Sequence, residues 1–315
     1  MPLAPILMTP AYRYGKMTPW GGNSLRTIFG KDIPDDRTGE SLEVSAIPGL
    51  ESKNPQGETL PQLIEKYGEK LVGTQVSAPF PLLLKLLDAR DTLSVQVHPD
   101  DDYAGRVENK LGKTEAWHIL YAEPGAELVY GIEEGTDKET LMAASRAGAA
   151  VEKLLRRVQV KAGDTFYIPA GMVHAIGSGI VLYEIQQSSD VTYRFYDWER
   201  TDEKGNKREL HIEKAVDVTD VNAQLAAVTE KELEKGRYQL LKEKYFTTER
   251  FEDFDGVIAA DDRRFALLTA VKDCSLSWAE GEMTLPAGCT ALLPADGFDL
   301  HFNAPAALIS HPTCD

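Results

Sequence analysis

The sequence predicts a mainly β protein built from two jelly-roll barrels, with a few short helices on the N-terminal one. Short segments of strand-like alternation recur along the chain between Gly- and Pro-rich turns, which favours barrels or sandwiches over βαβ units. A pattern near the middle, Ala-Gly-x-Thr followed after three residues by Pro-Ala, spans 162–170 and returns without a gap at 287–295. We therefore expect one barrel within residues 1–229 and a second within residues 236–315, joined by a charged linker at 230–235.

Composition limits the classes of protein to which the chain can belong. Its 315 residues are 43% hydrophobic, which is enough for a sizeable core. A net charge of −16 argues against nucleic acid and anionic membranes as partners, because both require basic surface. The three cysteines are not closely spaced, and the N-terminus has no signal-peptide pattern or apolar span. We expect a cytoplasmic protein that is a monomer or a small homo-oligomer.

The elements follow from local patterns, after a first stretch of about 58 residues that reads as irregular strands and loops. Helices are predicted where a polar cap precedes apolar residues at helical spacing: 60–67 after Thr59, 137–147 with Asp137 as the cap, 150–157 and 209–216. Strands are predicted at 80–87, 92–98, 114–121, 127–132, 165–168, 180–186, 191–196, 238–241, 246–251, 265–270, 290–293 and 307–310. The strands 80–87 and 92–98 should form a hairpin that places Lys85 opposite Ser94.

The segment 160–177 contains the most informative motif of the chain. A short strand is followed by Pro169-Ala170-Gly171, and proline cannot continue a central strand because it lacks the N–H that a ladder needs. The turn should therefore direct His174 back toward the sheet. This arrangement resembles the second motif of the cupin superfamily, in which such a histidine is a metal ligand. Asp299 takes the corresponding place in the second copy, so the chain should form two cupin-type jelly-roll barrels of which the C-terminal one is metal-free.

Two strands provide partners for this histidine. Alternation along 93–98 places Ser94, Gln96 and His98 on one face, and a polar face directed into a barrel would line a site. Lys113 and Glu115 share a face of the next strand. The candidate ligands are thus two oxygen and two nitrogen donors that suit one divalent ion such as Zn²⁺ and leave room for substrate: Gln96, His98, Glu115 and His174.

Two further charged residues lie on later strands. Glu184 shares its face with Leu182 and Gln186, and Arg194 shares its face with Thr192. Pairing of Arg194 with a nearby aspartate would be the structural alternative to a catalytic role.

Several segments together resemble the type I mannose-6-phosphate isomerases (phosphomannose isomerases), especially their short bacterial form. They cover roughly residues 15 to 220 in the order of that family. The matching segments are PWGGNSL, TGESLEVSA, PLLLKLLDARDTLSVQVHPDD, GKTEAW, VYG, LLRRV, GDTFYIPAGMVHAIG and ELHIEKAV. The pair Gln-x-His-Pro-Asp and Gly-Lys-Thr-Glu-x-Trp is more specific than the general cupin motif.

The resemblance implies roles for the candidate residues. The four candidate ligands would bind zinc or another divalent ion, and Arg194 would be the catalytic arginine. Lys113 and Glu184 would line the active site, while Ser94 and Lys85 would lie near the sugar phosphate. The implied reaction interconverts mannose 6-phosphate and fructose 6-phosphate through a cis-enediol intermediate.

Two residues remain candidates for the transfer of the proton. Lys113 could act only in its neutral form, and Glu184 is a carboxylate that is weakly basic unless it is desolvated. We favour Lys113.

Two other functions fit the same ligands. A non-catalytic cupin that binds a sugar or sugar phosphate as a sensor would need the metal ligands but not both Lys113 and Arg194. A cupin oxygenase would prefer a histidine-rich iron site, in which Gln96 would be unusual. The presence of both cations favours the isomerase.

Overall fold

The protein is mainly β, as the sequence predicts. The computed structural model describes residues 1–202, 204–223 and 228–314. The strands are β1 Ile6–Met8, β2 Ala11–Tyr14, β3 Thr38–Val44, β4 Leu82–Ala89, β5 Val95–Val97, β6 Glu115–Ala122, β7 Glu127–Ile132, β8 Leu155–Gln159, β9 Thr165–Ile168, β10 His174–Ile176, β11 Ile180–Gln187, β12 Tyr193–Tyr196, β13 Lys231–Glu234, β14 Arg237–Lys242, β15 Phe246–Ile258, β16 Ala266–Ala270, β17 Cys274–Trp278, β18 Gly281–Leu285, β19 Thr290–Leu293 and β20 Leu300–Pro312.

Short helices lie between the strands in the chain. They are α1 Ser24–Phe29, α2 Leu60–Tyr67, α3 Glu69–Val72, α4 Asp101–Glu108, α5 Lys138–Arg146 and α6 Ile212–Val218, with 3₁₀ turns at Gly15–Met17 and Gly148–Leu154. Thr59 caps α2 in a reciprocal capping box with Gln62, and the side chain of Asp137 caps α5 by accepting the N–H of Thr140. The predicted helix at 150–157 is wrong in its second half, because β8 begins at Leu155 and pairs with β7.

The strands form three sheets. A six-stranded sheet has the order β2-β3-β4-β11-β6-β9, and a five-stranded sheet has the order β12-β5-β10-β7-β8. The C-terminal sheet runs β1-β19-β16-β20-β15-β14-β13, with β17 and β18 attached through β20. A buried cluster that includes Leu87, Trp117, Leu128 and Ile176 lies between the first two sheets.

The predicted hairpin between 80–87 and 92–98 is wrong. β4 pairs with β3 and β11 in the six-stranded sheet, whereas β5 pairs with β10 and β12 in the five-stranded sheet. The intervening loop crosses from one sheet to the other, because each strand finds its partners among distant segments. Lys85 therefore pairs with Glu184 rather than with Ser94.

The charged stretch 230–235 is also not a plain linker. Its residues 231–234 form β13, an exposed edge strand that pairs with β14. Charged residues are well suited to such an edge, because they discourage pairing with other chains.

The sequence repeat has the same local structure in both copies. Gly163 and Gly288 both adopt positive φ, and each is followed two residues later by a four-residue strand, β9 or β19. Glycine is required at these turns because other residues are strained in that conformation. In the first copy the turn after β9 leads across to β10, so that His174 begins a strand of the opposite sheet.

The N-terminal and C-terminal parts share a core. One buried cluster combines Leu84 and Tyr183 with Phe246 and Leu308. The hydroxyl of Tyr183 donates to Oγ of Ser310 at 2.7 Å across this boundary. β1 also belongs to the C-terminal sheet, since Ile6 pairs with Leu292. Among the described residues, no helix is long and apolar enough to span a membrane.

Candidate active site

A cleft of about 300 Å³ opens between the six-stranded and five-stranded sheets. Its walls carry polar side chains from both sheets, which makes it the natural site for a polar ligand. The predicted site residues that line it are Lys85, Ser94, Gln96, Lys113, Glu184 and Arg194. The structure therefore brings together on one cleft residues that are far apart in the sequence.

Three side chains of the types that can bind a metal ion lie close together next to Lys113 and Gln96 of this cleft. The ligand atoms of His98, Glu115 and His174 all lie within 4.8 Å of one another, and the three residues are buried. Nε2 of His98 is 3.5 Å from Oε2 of Glu115, and Nε2 of His174 is 3.4 Å from Oε1. Among the described residues, this is the one group of three such side chains close enough to hold a metal ion.

Backbone carbonyls orient both imidazoles. Nδ1 of His98 donates to the carbonyl of Val191 at 2.9 Å, and Nδ1 of His174 donates to the carbonyl of Met172 at 2.8 Å. With the proton on Nδ1, each Nε2 directs its lone pair toward Glu115. This is the arrangement by which metal-ligating histidines are held in the correct tautomer.

Glu115 is the strongest indication that the group binds a cation. Both of its carboxylate oxygens are buried and make no hydrogen bond within the described part of the chain. Burial raises the pKa of Glu115 to about 7 despite the nearby ammonium of Lys113, and burial lowers the pKa of His174 to about 3. Because the pKa of Glu115 stays raised although Nζ of Lys113 lies 2.8 Å from Oε2, the buried carboxylate is not fully compensated by this lysine, and a divalent ion would compensate it. The donor set therefore fits zinc.

Gln96 adjoins this group from β5. It pairs across the sheet with His174 on one side and with Arg194 on the other. Its Nε2 lies 3.3 Å from Nε2 of His174. Ligation by Gln96 would use Oε1, because an amide nitrogen offers no free lone pair.

Lys113 lies between the cleft and the metal-binding group. Nζ of Lys113 is 2.8 Å from Oε2 of Glu115, and the two groups form an ion pair without hydrogen-bond geometry. The same Nζ is 2.9 Å from Nε2 of His98. Burial, followed by the charge of Lys113, lowers the pKa of His98 well below its usual value. Lys113 thus places a buried amino group next to both the candidate ligands and the cleft.

A second buried pair lies on β4 and β11 of the six-stranded sheet. Nζ of Lys85 is 3.0 Å from Oε1 of Glu184 and 3.7 Å from Glu40, and Trp117 donates its indole N–H to Oε2 of Glu184 at 2.9 Å. Burial alone would raise the pKa of Glu184, but the ammonium groups of Lys85 and Lys113 outweigh it and the pKa lies below its usual value. Glu184 is therefore held as a weakly basic carboxylate.

Arg194 occupies the end of the cleft formed by β12. Its Nε donates to Oγ of Ser94 at 3.2 Å and its Nη1 donates to the carbonyl of Glu209 at 2.7 Å. No carboxylate of the described residues lies within ion-pair distance of Arg194, whereas Asp197 pairs with Arg200 and Arg208. Within the described part of the chain, the positive charge of Arg194 thus has no carboxylate partner.

Sequence reasoning missed several residues of the cleft. Arg13, Glu40 and Arg208 line it but were not among the candidates. Glu40 pairs with Leu87 in the sheet, so alternation along β3 could have revealed it. Arg208 lies in a loop after β12, where no periodic pattern indicates the direction of a side chain.

Comparisons with known proteins agree with this site. Residues 10–118 match the family described as phosphomannose isomerase type I, catalytic domain. A mannose-6-phosphate isomerase of Streptococcus mutans is 51% identical over 64% of this chain, and the chain spans only 64% of that protein. A putative mannose-6-phosphate isomerase of Bacillus subtilis, YvyI, is 36% identical over 98% of this chain and 99% of its own length.

Solved structures extend the likeness to the whole chain. The crystal structure of a mannose 6-phosphate isomerase from Bacillus subtilis superposes with a TM-score of 0.89 at 35% identity, covering 98% of this chain and 99% of that one. A zinc-bound mannose 6-phosphate isomerase shares the fold with a TM-score of 0.77 at 16% identity, covering 99% of this chain and 100% of that one. YvyI is similar to this chain over nearly the full length of both proteins, and residues 10–118 match the type I catalytic domain. The chain therefore belongs to the type I phosphomannose isomerase family.

Proposed function

We propose that this protein is a metal-dependent aldose–ketose isomerase of carbohydrate metabolism that interconverts mannose 6-phosphate and fructose 6-phosphate. Membership of the family supports this reaction. The observation that carries it is the position of Glu115, whose buried carboxylate accepts no hydrogen bond from the residues that the structure describes. It faces two oriented histidines beside a cleft that Lys113 and Arg194 also reach.

We propose that one zinc ion is held by Gln96, His98, Glu115 and His174. Zinc, when bound, supplies Lewis-acid positive charge that stabilises negative charge on a substrate oxygen. The ligands contribute one negative charge, so the centre keeps a net positive character. The zinc dependence of type I enzymes agrees with this assignment.

The substrate would place its phosphate beside Ser94 and Arg208, which both line the cleft. Arg194 donates a hydrogen bond to Ser94, but we assign its charge to the reacting oxygen of the sugar rather than to the phosphate. A phosphate oxygen is a strong acceptor for guanidinium groups. Lys85 remains a proposed substrate-binding residue, although its ammonium is shared between Glu184 and Glu40.

The reaction requires a base that removes the proton on C2, next to the carbonyl, and a route that returns the proton to C1 of a cis-enediol. We assign the proton transfer to Lys113, which would act as the base in its neutral form, because Glu184 is held weakly basic by Lys85 and Trp117. Arg194 would stabilise the negative charge that develops on the substrate oxygen. Glu184 would hold Lys85 charged and orient the sugar.

We also propose that the sheets form two cupin-type jelly-roll barrels, one within residues 1–229 and a metal-free one within residues 236–315. The equivalent turns at Gly163 and Gly288 support this division. So does the location of the metal-binding group in the N-terminal part. The pairing of β1 with β19 means that the first residues of the chain would contribute a strand to the second barrel.

For its setting, we propose a cytoplasmic enzyme that acts on a free hexose 6-phosphate as a monomer or small homo-oligomer. The acidic composition and the lack of closely spaced cysteines support this proposal.

A coupled assay tests the proposed reaction. The purified protein is given mannose 6-phosphate, and formation of fructose 6-phosphate is followed. The isomerase should form product, whereas a non-catalytic sugar-phosphate sensor would bind the substrate without converting it. Binding of hexose phosphates without turnover by the zinc-loaded protein would favour the sensor.

A further inference from the structure

The carboxylate of Asp101 connects three distant parts of the molecule. Its Oδ1 accepts the backbone N–H of Gly112 at 2.9 Å and the side-chain N–H of Gln187 at 2.8 Å. Its Oδ2 accepts the hydroxyl of Tyr245 at 2.7 Å. Tyr245 lies between β14 and β15, so the carboxylate joins the C-terminal sheet to the segment that precedes β6.

That segment, residues 112–114, is anchored at every backbone N–H. Gly112 donates to Asp101, and Lys113 donates to the carbonyl of Pro99 at 2.9 Å. Thr114 donates to Oε1 of Gln187 at 2.9 Å, and Gln187 in turn is held by Asp101. Asp101 therefore fixes two of the three N–H groups, one directly and one through Gln187.

The segment also packs closely against the start of α4. A Cβ atom at Gly112 would lie 2.5 Å from the backbone of Asp100 and of Asp101, a separation that real Cβ atoms do not show. Glycine is therefore needed for this approach. The close packing keeps the backbone N–H of Gly112 within reach of the carboxylate.

Capping of α4 does not explain Asp101. Asp100 is the cap of this helix and accepts the N–H of Tyr103 at 2.8 Å. Asp102, in the same first turn, is exposed. The carboxylate of Asp101 is instead used by groups outside the helix.

We infer that Asp101 is a positioning residue for Lys113, and that its hydrogen bond from Tyr245 makes the position of Lys113 depend on the C-terminal part of the chain. A lysine side chain is long and loses rotamer freedom when it is buried, so its placement depends on a fixed backbone. Nζ of Lys113 must stay near Glu115 and the cleft to act in the proposed reaction. The catalytic consequence rests on the proposed isomerase function, whereas the positioning itself does not.

Hydrogen–deuterium exchange of the full-length, zinc-loaded protein tests the positioning directly. Deuterium uptake of a peptide spanning 110–118 should rise in Asp101→Ala and also in Tyr245→Phe, which removes only the hydroxyl. Asp102→Ala is the matched control and should leave uptake unchanged. Unchanged uptake in both test variants would overturn the inference, and a rise in Asp101→Ala alone would overturn the dependence on the C-terminal part.

Kinetics then test the catalytic consequence. Asp101→Ala should lower kcat by about 10- to 100-fold with KM changed by less than about threefold and with one zinc per chain retained. Asp101→Asn keeps an oxygen acceptor and should recover part of kcat. A raised KM with unchanged kcat would contradict the role. If the wild-type protein isomerises no hexose phosphate, the proposed function fails, while deuterium uptake still decides the positioning.

Discussion

Nζ of Lys113 lies 2.8 Å from Oε2 of Glu115, and both side chains are almost wholly buried. The pair links the residue that we assign to proton transfer with a residue that we assign to zinc. Because Lys113 also lines the cleft, its Nζ can reach a substrate without leaving this environment.

Replacement of Lys113 should separate catalysis from metal binding. We expect Lys113→Met to lower kcat by about 100-fold or more, since removal of a general base typically costs that much. None of the four proposed ligands is changed, so zinc should remain at one per chain by elemental analysis. Lys66→Met, which removes an exposed lysine paired with Glu58, is the control. Near-normal kcat in Lys113→Met would favour Glu184 as the residue that transfers the proton.

Arg194→Ala should also lower turnover while zinc is retained. Arg194 forms no ion pair with a described residue, so its charge is available to a developing oxyanion, and loss of one such donor costs about 100-fold. Steady-state kinetics and metal analysis measure the two quantities. Arg146→Ala, the control, removes an exposed arginine on α5 and should leave both turnover and zinc content unchanged. A fully active Arg194→Ala enzyme would remove this residue from the mechanism.

Glu115→Gln should weaken zinc binding by about 100-fold or more. The substitution removes the one negative charge of the proposed ligand set while keeping its shape. Competition with a zinc-binding dye measures the affinity. Glu127→Gln, on the partly exposed β7, provides the control. Equal zinc affinity in wild type and Glu115→Gln would place the metal elsewhere.

The sequence predicts which candidate ligands lie close together, but it does not predict the residues that hold them in place. Alternation along 93–98 places Gln96 beside the site, because a strand fixes which face each residue occupies. The predicted hairpin is wrong because β4 and β5 pair with strands that are distant in the sequence, and local sequence patterns do not reveal such pairing. Arg208 and the contact between Asp101 and Tyr245 depend on how loops and the C-terminal sheet pack, so no spacing rule reveals them.

Stability should fall in mild acid partly because of His118. This histidine is buried against Thr165, and burial, with the charge of Arg250, lowers its pKa from the usual 6.5 to about 4. The unfolded chain therefore takes up a proton at a higher pH than the folded protein. Stability from this group is complete above pH 6.5 and declines as the pH falls toward 4, by up to about 3 kcal/mol.

Urea unfolding of wild type and His118→Gln over this pH range measures the effect. The free energy of unfolding should depend less steeply on pH in the variant, because the variant lacks the titrating group His118. The histidines of the proposed metal site are common to both proteins, so they do not contribute to the difference. Parallel curves for the two proteins would contradict the assignment.

Tyr183→Phe should destabilise the contact between the two parts of the chain. It removes the donor to Ser310, whose Oγ keeps a partner in Thr248 at 2.8 Å. The free energy of unfolding should fall by about 1 kcal/mol. Tyr121→Phe, on an exposed tyrosine, is the control. Equal stability of wild type and Tyr183→Phe would show that this hydrogen bond contributes nothing.

Titration of the metal-stripped protein with Zn²⁺ tests the central claim most directly. Formation of fructose 6-phosphate from mannose 6-phosphate is measured at each addition. The account predicts no turnover without metal, a linear rise to a maximum at one zinc per chain, and loss of turnover with chelator. Full turnover without metal, or no turnover at one bound zinc per chain, would contradict it.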